Sequence, residues 1–400
     1  MKLLSKRSVL AVAAVVGGVA IGLTFSGRAQ AQAPSVTCAA GTKAGQCFKN
    51  VQTDALKNLT PGDFLSAMGV MTDSLGLDCA DCHPGAGTDK VNWVIDTPPK
   101  LMARRMVNMM QAINKEFFNG TQQVTCYVCH HTREKPSTSV SLDNLYSSPN
   151  FDKDDVVPAD KTAPPAAEIL DKYIAALGGQ QKLNSMTSYI MTGESVGYEG
   201  LGGNGQFKIY AKAPNMRTTE IRFPDHPDRG VSAWTFDGKV GWVTAPRGLM
   251  GEYQLDGNNA EGAAFEAASS FPGAIKSLFP TWVSGGLESI GETRTASSSS
   301  SQDIVPPDDY RLVEGTARGG NLRAKFYFDQ KTNLLVRVLR FVNSPVGKIP
   351  IQVDYADYRD VNGIKFPFKM AFLWLDGRWN AEIKNVQINA NIDNKIFGKP

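Results

Sequence analysis

The chain has 400 residues, of which 42% are hydrophobic and 20% charged, a composition typical of a soluble globular protein with room for two domains. Its formal net charge of +3 gives no basic excess of the kind that indicates a nucleic-acid partner. Four of the cations, Lys2, Lys6, Arg7 and Arg28, lie in the first 31 residues, which contain no acid, and subtracting them from +3 leaves −1.

Residues 1–31 have the features of a secretory signal peptide. A basic start, MKLLSKR, is followed by the apolar run SVLAVAAVVGGVAIGLTF, and AQAQA at residues 29–33 offers small residues to a signal peptidase. An uncleaved membrane anchor is the alternative, but the apolar run is short and interrupted by glycine. We therefore expect an exported, periplasmic protein, with an association with the cell envelope left open.

Six cysteines follow the signal peptide. Export would bring them into an oxidising compartment, where thiols pair or are otherwise consumed. Cys38 and Cys47 lie outside any repeated motif. We expect them to form a disulfide that closes a short loop near the start of the mature chain.

The other four cysteines lie in a motif that occurs twice, in LDCADCHPG and in VTCYVCHHT. Cys-x-x-Cys-His is the attachment site of c-type haem, in which two thiols bond to the porphyrin and the histidine binds the iron. Zinc binding, a redox dithiol and ordinary disulfides are the alternatives, but none of them requires a histidine directly after the second cysteine. Two covalently attached haem c groups are therefore expected. The attachment cysteines and proximal iron ligands are Cys79, Cys82, His83, Cys126, Cys129 and His130.

A methionine-rich helix is predicted before each motif. The first, in TPGDFLSAMGVMTDSLG, has Thr60 as its N-cap and Pro61 as its first residue; the second, in TPPKLMARRMVNMMQAINKEFF, begins in the same way. A methionine stripe usually packs in a core, but a methionine on a helix beside a haem motif is also a candidate sixth ligand of the iron. We expect one methionine of each helix to bind iron; the first helix offers Met68 and Met71, and the second offers Met102, Met106, Met109 and Met110.

The segments FLSAMGVMTDSLGLDCADCH and MARRMVNMMQAIN…VTCYVCH resemble the tetrahaem cytochrome subunit of photosynthetic reaction centres, over about residues 46–135. The resemblance implies a repeated unit of helix, turn and haem motif. It also implies that Met68, by its spacing from Cys79, and Met106, by the arginine pair before it, are the sixth ligands. Met71, Met110 and His131 are the alternatives. The chain departs from the family in having two motifs instead of four, so no docking to a reaction centre follows. It also has CHHTREKP where the family continues Cys-His-Arg-Gly, which leaves His131 unexplained.

Arg104 and Arg105 precede Met106, and two interpretations of them are open. They form the solvent-facing side of the helix, or they pair with the haem propionates, because a guanidinium group binds a carboxylate through two parallel hydrogen bonds. Three interpretations of His131 are open: it faces solvent, it forms a hydrogen bond to a propionate, or it binds iron.

From Ser137 to Pro165 the composition turns to Ser, Pro, Asp and Lys, as in a linker. A helix, PAAEILDKYIAALGG, follows, and then segments with a period of two whose turns, FDGKV, DQKTN and VNGI, are typical of hairpins. We expect a multidomain α + β protein: a small, mainly α dihaem domain followed by a curved antiparallel β-sheet, or half-barrel, with a few helices. The expected division is 1–31 signal peptide, 32–136 dihaem domain, 137–165 linker and 166–400 β domain.

The β segments FKIYAKAPNMRT, FDGKVGW, YFDQKTNLLVRV and DYRDVNGIKFPF, with ILDKYIAALGG before them, resemble the periplasmic lipoprotein-carrier and outer-membrane lipoprotein-sorting family. The match covers about residues 166–400. It implies a concave sheet that can hold acyl chains, although a fold does not carry a function with it.

Together these features predict an exported dihaem c-type cytochrome that transfers electrons between redox proteins and is not an enzyme. Its β domain would dock a partner or bind an apolar or lipid ligand. One alternative is a peroxidase-like dihaem enzyme with one open iron, against which the abundance of methionines argues. The other is a lipid-binding or redox-sensing module.

Overall fold

The computed structural model describes residues 36–86, 88, 90–139, 156–196, 205–246, 248–290, 304–306, 308–320, 322–375 and 377–400. The expected signal peptide and residues 140–155 of the expected linker lie outside these ranges. The domain boundaries given above remain predictions.

Short helices and two long ones make up the N-terminal part. Thr60 caps the first long helix by accepting a hydrogen bond from the Asp63 amide, and Gly76 ends it in the left-handed conformation, at φ 65°. Thr97 caps the second in the same way. The bounds are α1 Ala44–Cys47, α2 Asp54–Lys57, α3 Pro61–Leu75, α4 Cys79–Cys82, α5 Pro98–Phe117 and α6 Cys126–His130.

The expected disulfide between Cys38 and Cys47 is present, with a Cα–Cα distance of 5.4 Å. It joins the residues just before α1 to the end of that helix. None of the helices in the described ranges has the length and apolar character needed to cross a membrane.

The C-terminal part is an open antiparallel sheet, as expected. Its order is β6-β5-β4-β3-β2-β1-β13-β12-β11-β10-β9-β8-β7, so that β6 and β7 are the two edges and the sheet does not close. The strands are β1 Ser188–Val196, β2 Gly205–Lys212, β3 Met216–Arg222, β4 Val231–Phe236, β5 Gly241–Thr244, β6 Glu252–Gln254, β7 Thr281–Ile290, β8 Asp308–Thr316, β9 Arg323–Phe328, β10 Leu335–Ser344, β11 Gly347–Val361, β12 Ile364–Trp374 and β13 Gly377–Ile388.

Helices cover one face of this sheet and form its main core. Two helices, α7 (Ala166–Ala176) and α8 (Gln180–Ser185), precede β1. The chain between the edge strands β6 and β7 crosses from one edge to the other and forms α9 (Gly257–Ser269) and a 3-10 helix at Pro272–Ser277. Leu170 of α7 and Phe265 of α9 pack with strand residues such as Phe326 in one apolar cluster.

The end of the expected linker packs on β7. Val157 is buried in a second cluster with Leu312 and Tyr327, and the Asp160 amide donates to the Ser284 carbonyl oxygen at 2.9 Å. Residues 156–160 are therefore attached to the sheet edge.

A third cluster joins the helices to the sheet. Val70 of α3 and Val107 of α5 pack with Val342 of β10, Val346 in the turn after it and Ile349 of β11. The helical part and the sheet thus share a core.

The buried leucine of α7 allows a test of the fold. We expect Leu170→Ala to lower the free energy of unfolding by about 2–5 kcal/mol, because Leu170 is 1% exposed and its loss leaves a cavity. Leu287→Ala is the matched control: Leu287 is 52% exposed on β7, and its change should stay within about 0.5 kcal/mol. Denaturant unfolding followed by circular dichroism measures both. Equal losses would contradict this assignment of the core.

Candidate haem-binding site

Each Cys-x-x-Cys segment forms its own capped helical turn. The Asp78 carboxylate accepts hydrogen bonds from the Ala80 and Asp81 amides at 2.7 and 3.3 Å and so starts α4. Thr125 accepts a bond from the Val128 amide at 3.3 Å and starts α6 in the same way. In a helix, residues three apart lie on one face, so each turn presents its two thiols side by side.

Burial affects the thiols of both turns. It raises the pKa of Cys126 to about 11 and also raises the pKa of Cys82, to which Asp81 adds. A redox dithiol needs a lowered thiol pKa, so these environments disfavour that alternative. Among the described residues, no three His, Cys, Asp or Glu side chains converge as a metal-binding group, so the two cysteine pairs do not form one four-ligand cluster.

The imidazole of His83 is half-buried beside Trp93. Their ring centroids are 5.0 Å apart, and His83 Nδ1 and Trp93 Nε1 are both buried with no hydrogen-bond partner among the described residues. Burial, helped by the charge of Lys100, lowers the pKa of His83. The neutral imidazole, which is the form that binds a metal, is therefore favoured.

The start of α5 packs on this first motif. Thr97 Oγ1 donates to the Cys82 carbonyl oxygen at 2.9 Å, while Lys100 Nζ donates to the carbonyl oxygens of Trp93 and Ile95 at 2.9 and 2.8 Å. The helix cap and the lysine thus secure the chain on both sides of His83.

His130 of the second motif has one nitrogen already engaged. Its Nδ1 lies 3.0 Å from the Arg133 carbonyl oxygen, and because a carbonyl oxygen only accepts, Nδ1 carries the proton. Nε2 is then the nitrogen left to bind a metal, with the backbone orienting the ring.

Asn114 of α5 positions the second motif. It is 7% exposed; its Oδ1 accepts from the amides of Gln123 and Val124 at 3.0 and 2.8 Å, and its Nδ2 donates to the Val124 carbonyl oxygen at 2.7 Å. The amide of Cys126 donates to the Val346 carbonyl oxygen in the β10–β11 turn, at 3.1 Å. The approach to α6 is therefore held by α5 and by the sheet.

The candidate sixth ligands differ in burial. Met68 and Met71 of α3 and Met106 of α5 are half-buried, and the two on α3 pack near Cys126, because α3 lies against the second motif. Met110 is 4% exposed in the shared core, which suits a packing role. The assignment of ligands to irons remains a prediction.

The two arginines have different surroundings. Arg104 is half-buried, with Nη2 at 2.9 Å from Asp96 Oδ1 and at 3.2 Å from the Asn50 carbonyl oxygen, and its Nη1 is buried with no hydrogen-bond partner in the described ranges. This hydrogen bond to Arg104 lowers the pKa of Asp96. Arg105 is exposed, and so is His131, whose ring stands edge-on to Tyr127 at 5.3 Å. Arg104 therefore offers a donor to a carboxylate, whereas Arg105 faces solvent.

Exposed apolar side chains are concentrated in the segment that runs from the first motif to the second. Most of the large apolar side chains that the described residues leave exposed lie between residues 94 and 128. They are Val94, Ile95, Leu101, Met102, Met109, Phe117, Phe118, Tyr127 and Val128. Where such side chains lie together, they are expected to be covered by another molecule. With paired thiols, a neutral histidine and a spare guanidinium donor beside them, such a group of side chains fits an apolar macrocycle with carboxylate side chains.

Three residues of the site, Trp93, Lys100 and Asn114, are not among those predicted from the sequence. Trp93 and Lys100 lie between the first motif and α5, where a tryptophan in a polar loop, GTDKVNW, is the one visible signal. No sequence pattern indicates the role of Asn114, because an asparagine on an amphipathic helix is expected to face solvent.

A known family matches the N-terminal part of the chain. Residues 22–159 match the model of the photosynthetic reaction centre cytochrome C subunit family. No curated protein matches the chain.

Solved structures similar to the C-terminal part include lipoprotein-sorting folds. A DUF1329 family protein from Desulfovibrio piger has 12% identity and a TM-score of 0.38, covering 59% of this chain and 98% of that one. A domain of an outer membrane lipoprotein-sorting protein from Vibrio parahaemolyticus has 11% identity and a TM-score of 0.37, covering 58% and 95%. A LolA superfamily protein from Nitrosomonas europaea has 15% identity and a TM-score of 0.36, covering 59% and 99%.

The Asn114 contacts make a prediction about the second motif. Asn114→Leu keeps the side-chain size but removes all three bonds. We expect about 1–3 kcal/mol of destabilisation, because the half-buried amide and carbonyl of Val124 lose their partner. Hydrogen exchange at the amides of Gln123 and Val124 should become faster. Asn108→Leu, at an exposed position of the same helix, should change neither quantity. Unchanged exchange in the Asn114 variant would contradict the positioning role.

Proposed function

We propose that this protein is an exported dihaem c-type cytochrome that transfers electrons and is not an enzyme. The observation that carries the proposal is the pair of Cys-x-x-Cys-His turns. Each turn has its own N-cap, and the histidine that ends each motif is suited to binding a metal. Both turns lie within the residues that match a cytochrome family. The expected signal peptide and the Cys38–Cys47 disulfide support a periplasmic or envelope location.

Each of the two motifs would hold one haem. Cys79 and Cys82 would attach one and Cys126 and Cys129 the other, with His83 and His130 as the proximal ligands. Each bound haem would supply a one-electron iron couple. Met68 and Met106 are proposed as the sixth ligands, with Met71, Met110 and His131 as alternatives. A methionine opposite histidine raises the reduction potential, which suits a carrier in respiration.

The two sites are held together by direct contacts. Thr97 at the start of α5 bonds to Cys82 of the first motif, and the Thr132 amide after the second motif donates to the Ser74 carbonyl oxygen of α3 at 2.9 Å. Each long helix therefore contacts the motif of the other unit. This arrangement favours electron exchange between two neighbouring haems.

A ligand-binding role for the β part is proposed beside electron transfer. A cavity of about 130 Å³ lies against α7 and α9, lined by apolar side chains such as Ile209, Phe326 and Phe372. Its lining supports an apolar or lipid ligand. Docking of a redox partner on the same part is the other proposed role.

The number of haems is directly testable. We expect two haems per chain in the purified protein, and one in the Cys79→Ala/Cys82→Ala variant, because a haem without its thiols is not retained on denaturation. The pyridine haemochrome spectrum and the intact mass of denatured protein measure this number. The Cys38→Ala/Cys47→Ala control removes the disulfide and should keep both haems. Zinc in place of iron in elemental analysis would contradict the proposal.

Carbon monoxide distinguishes the carrier from the enzyme. We expect the reduced protein to show no spectral shift with carbon monoxide, because both irons have two strong ligands. Met68→Ala should open one iron and bind about one equivalent. Met109→Ala, which removes a methionine that is 45% exposed, should not.

Two other outcomes of this experiment would change the assignment. Ready binding by the unmodified protein would favour a peroxidase-like enzyme with an open iron. No binding by the Met68 variant would pass the ligand role to Met71, Met110 or His131.

A further inference from the structure

The cavity of the β part contains charged groups as well as apolar ones. Arg217 of β3, Arg340 of β10 and Glu266 of α9 all line it. Burying a charge is costly unless an opposite charge or a set of hydrogen bonds compensates it. A fourth charged group, Lys365 of β12, also lines the cavity, but it is exposed and lies opposite Asp360 of β11. At the end of the cavity next to α9, two guanidinium groups face one carboxylate, so this part of the lining has a net charge of +1.

Arg340 is built into the site. It is 7% exposed, and its Nη2 lies 3.4 Å from Glu266 Oε1, longer than a well-formed charged hydrogen bond. It lies against Gly262 of α9: a β-carbon there would be 2.5 Å from Nη2. The glycine therefore leaves the room that the guanidinium group occupies.

Arg217 has hydroxyl partners instead of a carboxylate. Its Nη1 donates to Ser270 Oγ at 2.9 Å and lies 3.5 Å from the Tyr189 hydroxyl. Within the described residues no carboxylate lies within salt-bridge distance of it. The positive charge of Arg217 is thus hydrogen-bonded but not neutralised.

The last turn of α9 brings these groups to one end of the cavity. Glu266, Ser269 and Ser270 are three and four residues apart and share a helix face, and Ser269 Oγ is buried with no hydrogen-bond partner in the described ranges. Tyr355 lines the same region, and burial raises the pKa of its hydroxyl, which stays protonated and able to donate. At this end of the cavity, the guanidinium groups of Arg217 and Arg340 and several hydroxyl donors therefore lie around one carboxylate, that of Glu266.

The rest of the lining is apolar and limits the size of a ligand. At about 130 Å³ the cavity is close to the roughly 150 Å³ of an engineered cavity that holds benzene. A short alkyl chain or a single ring fits this volume, whereas a diacyl lipid would require the cavity to widen.

We propose that this cavity binds an amphiphilic carboxylic acid, with its carboxylate between Arg217 and Arg340 and its short apolar tail among the aromatic side chains. A single negative charge matches the net charge of +1, and a guanidinium group binds a carboxylate through two parallel bonds. A phosphate monoester, which carries nearly two charges, fits less well. The inference rests on the ligand-binding part of the proposed function and names its ligand class.

The test compares ligands with the same tail and different heads. We expect calorimetry on the full-length, haem-loaded protein to show octanoate binding at least tenfold more tightly than octan-1-ol or octyl phosphate. Arg217→Met should lower the octanoate affinity to that of the alcohol. Arg222→Met, on the same strand but exposed and paired with Glu220, should keep the preference.

A second variant guards against a folding defect in the first. Glu266 is 43% exposed in its side chain, and Glu266→Gln removes the one competing carboxylate, so octanoate should bind several-fold more tightly. Equal affinity for octanoate and octanol in the unmodified protein would overturn the head-group inference and leave an apolar cavity. Binding of none of the three would overturn both, while the haem count tests the electron carrier independently.

Discussion

One turn of the sheet supports the second haem motif. Val346, between β10 and β11, has no exposed surface, and its carbonyl oxygen accepts the hydrogen bond of the Cys126 amide at 3.1 Å. Cys126 is the first thiol of the motif, so the start of α6 is attached to the sheet as well as to its own helices. A site attached to hydrogen-bonded strands holds its geometry better than one attached to loops.

The helical part depends on this attachment because its own core is small. Of the twenty residues of α5, the buried ones are Val107, Met110 and Asn114, and two of these belong to the cluster shared with the sheet. Other apolar side chains of this helix, such as Leu101, Met102 and Met109, are exposed. The helices are therefore stabilised from one side by the sheet, and their exposed apolar side is suited to a large apolar group.

Local features of the structure were readable from the sequence, and contacts between distant residues were not. Thr60 with Pro61 and Thr97 with Pro98 start the two long helices, and Gly76 ends the first, because capping depends on a few adjacent residues. The contact of Cys126 with Val346 joins residues 220 positions apart, and no local pattern marks it. The residues around Arg340 in β10 do not indicate which face of the sheet its side chain is on. Its position at the cavity depends on the packing of α9 against the strand.

Strand β10 connects the two candidate sites, and its hydrogen bonds on both sides limit conformational coupling between them. Arg340 at the cavity and Val346 at the second motif are six residues apart, or about 20 Å along an extended chain. Coupling between sites needs an element with two discrete arrangements. A strand bonded on both sides, to β9 and to β11, has its register set by both neighbours and offers one arrangement. The sheet therefore offers a fixed support, with the second Cys-x-x-Cys-His motif at one end of β10 and the cavity along it, and we expect no coupling between the two.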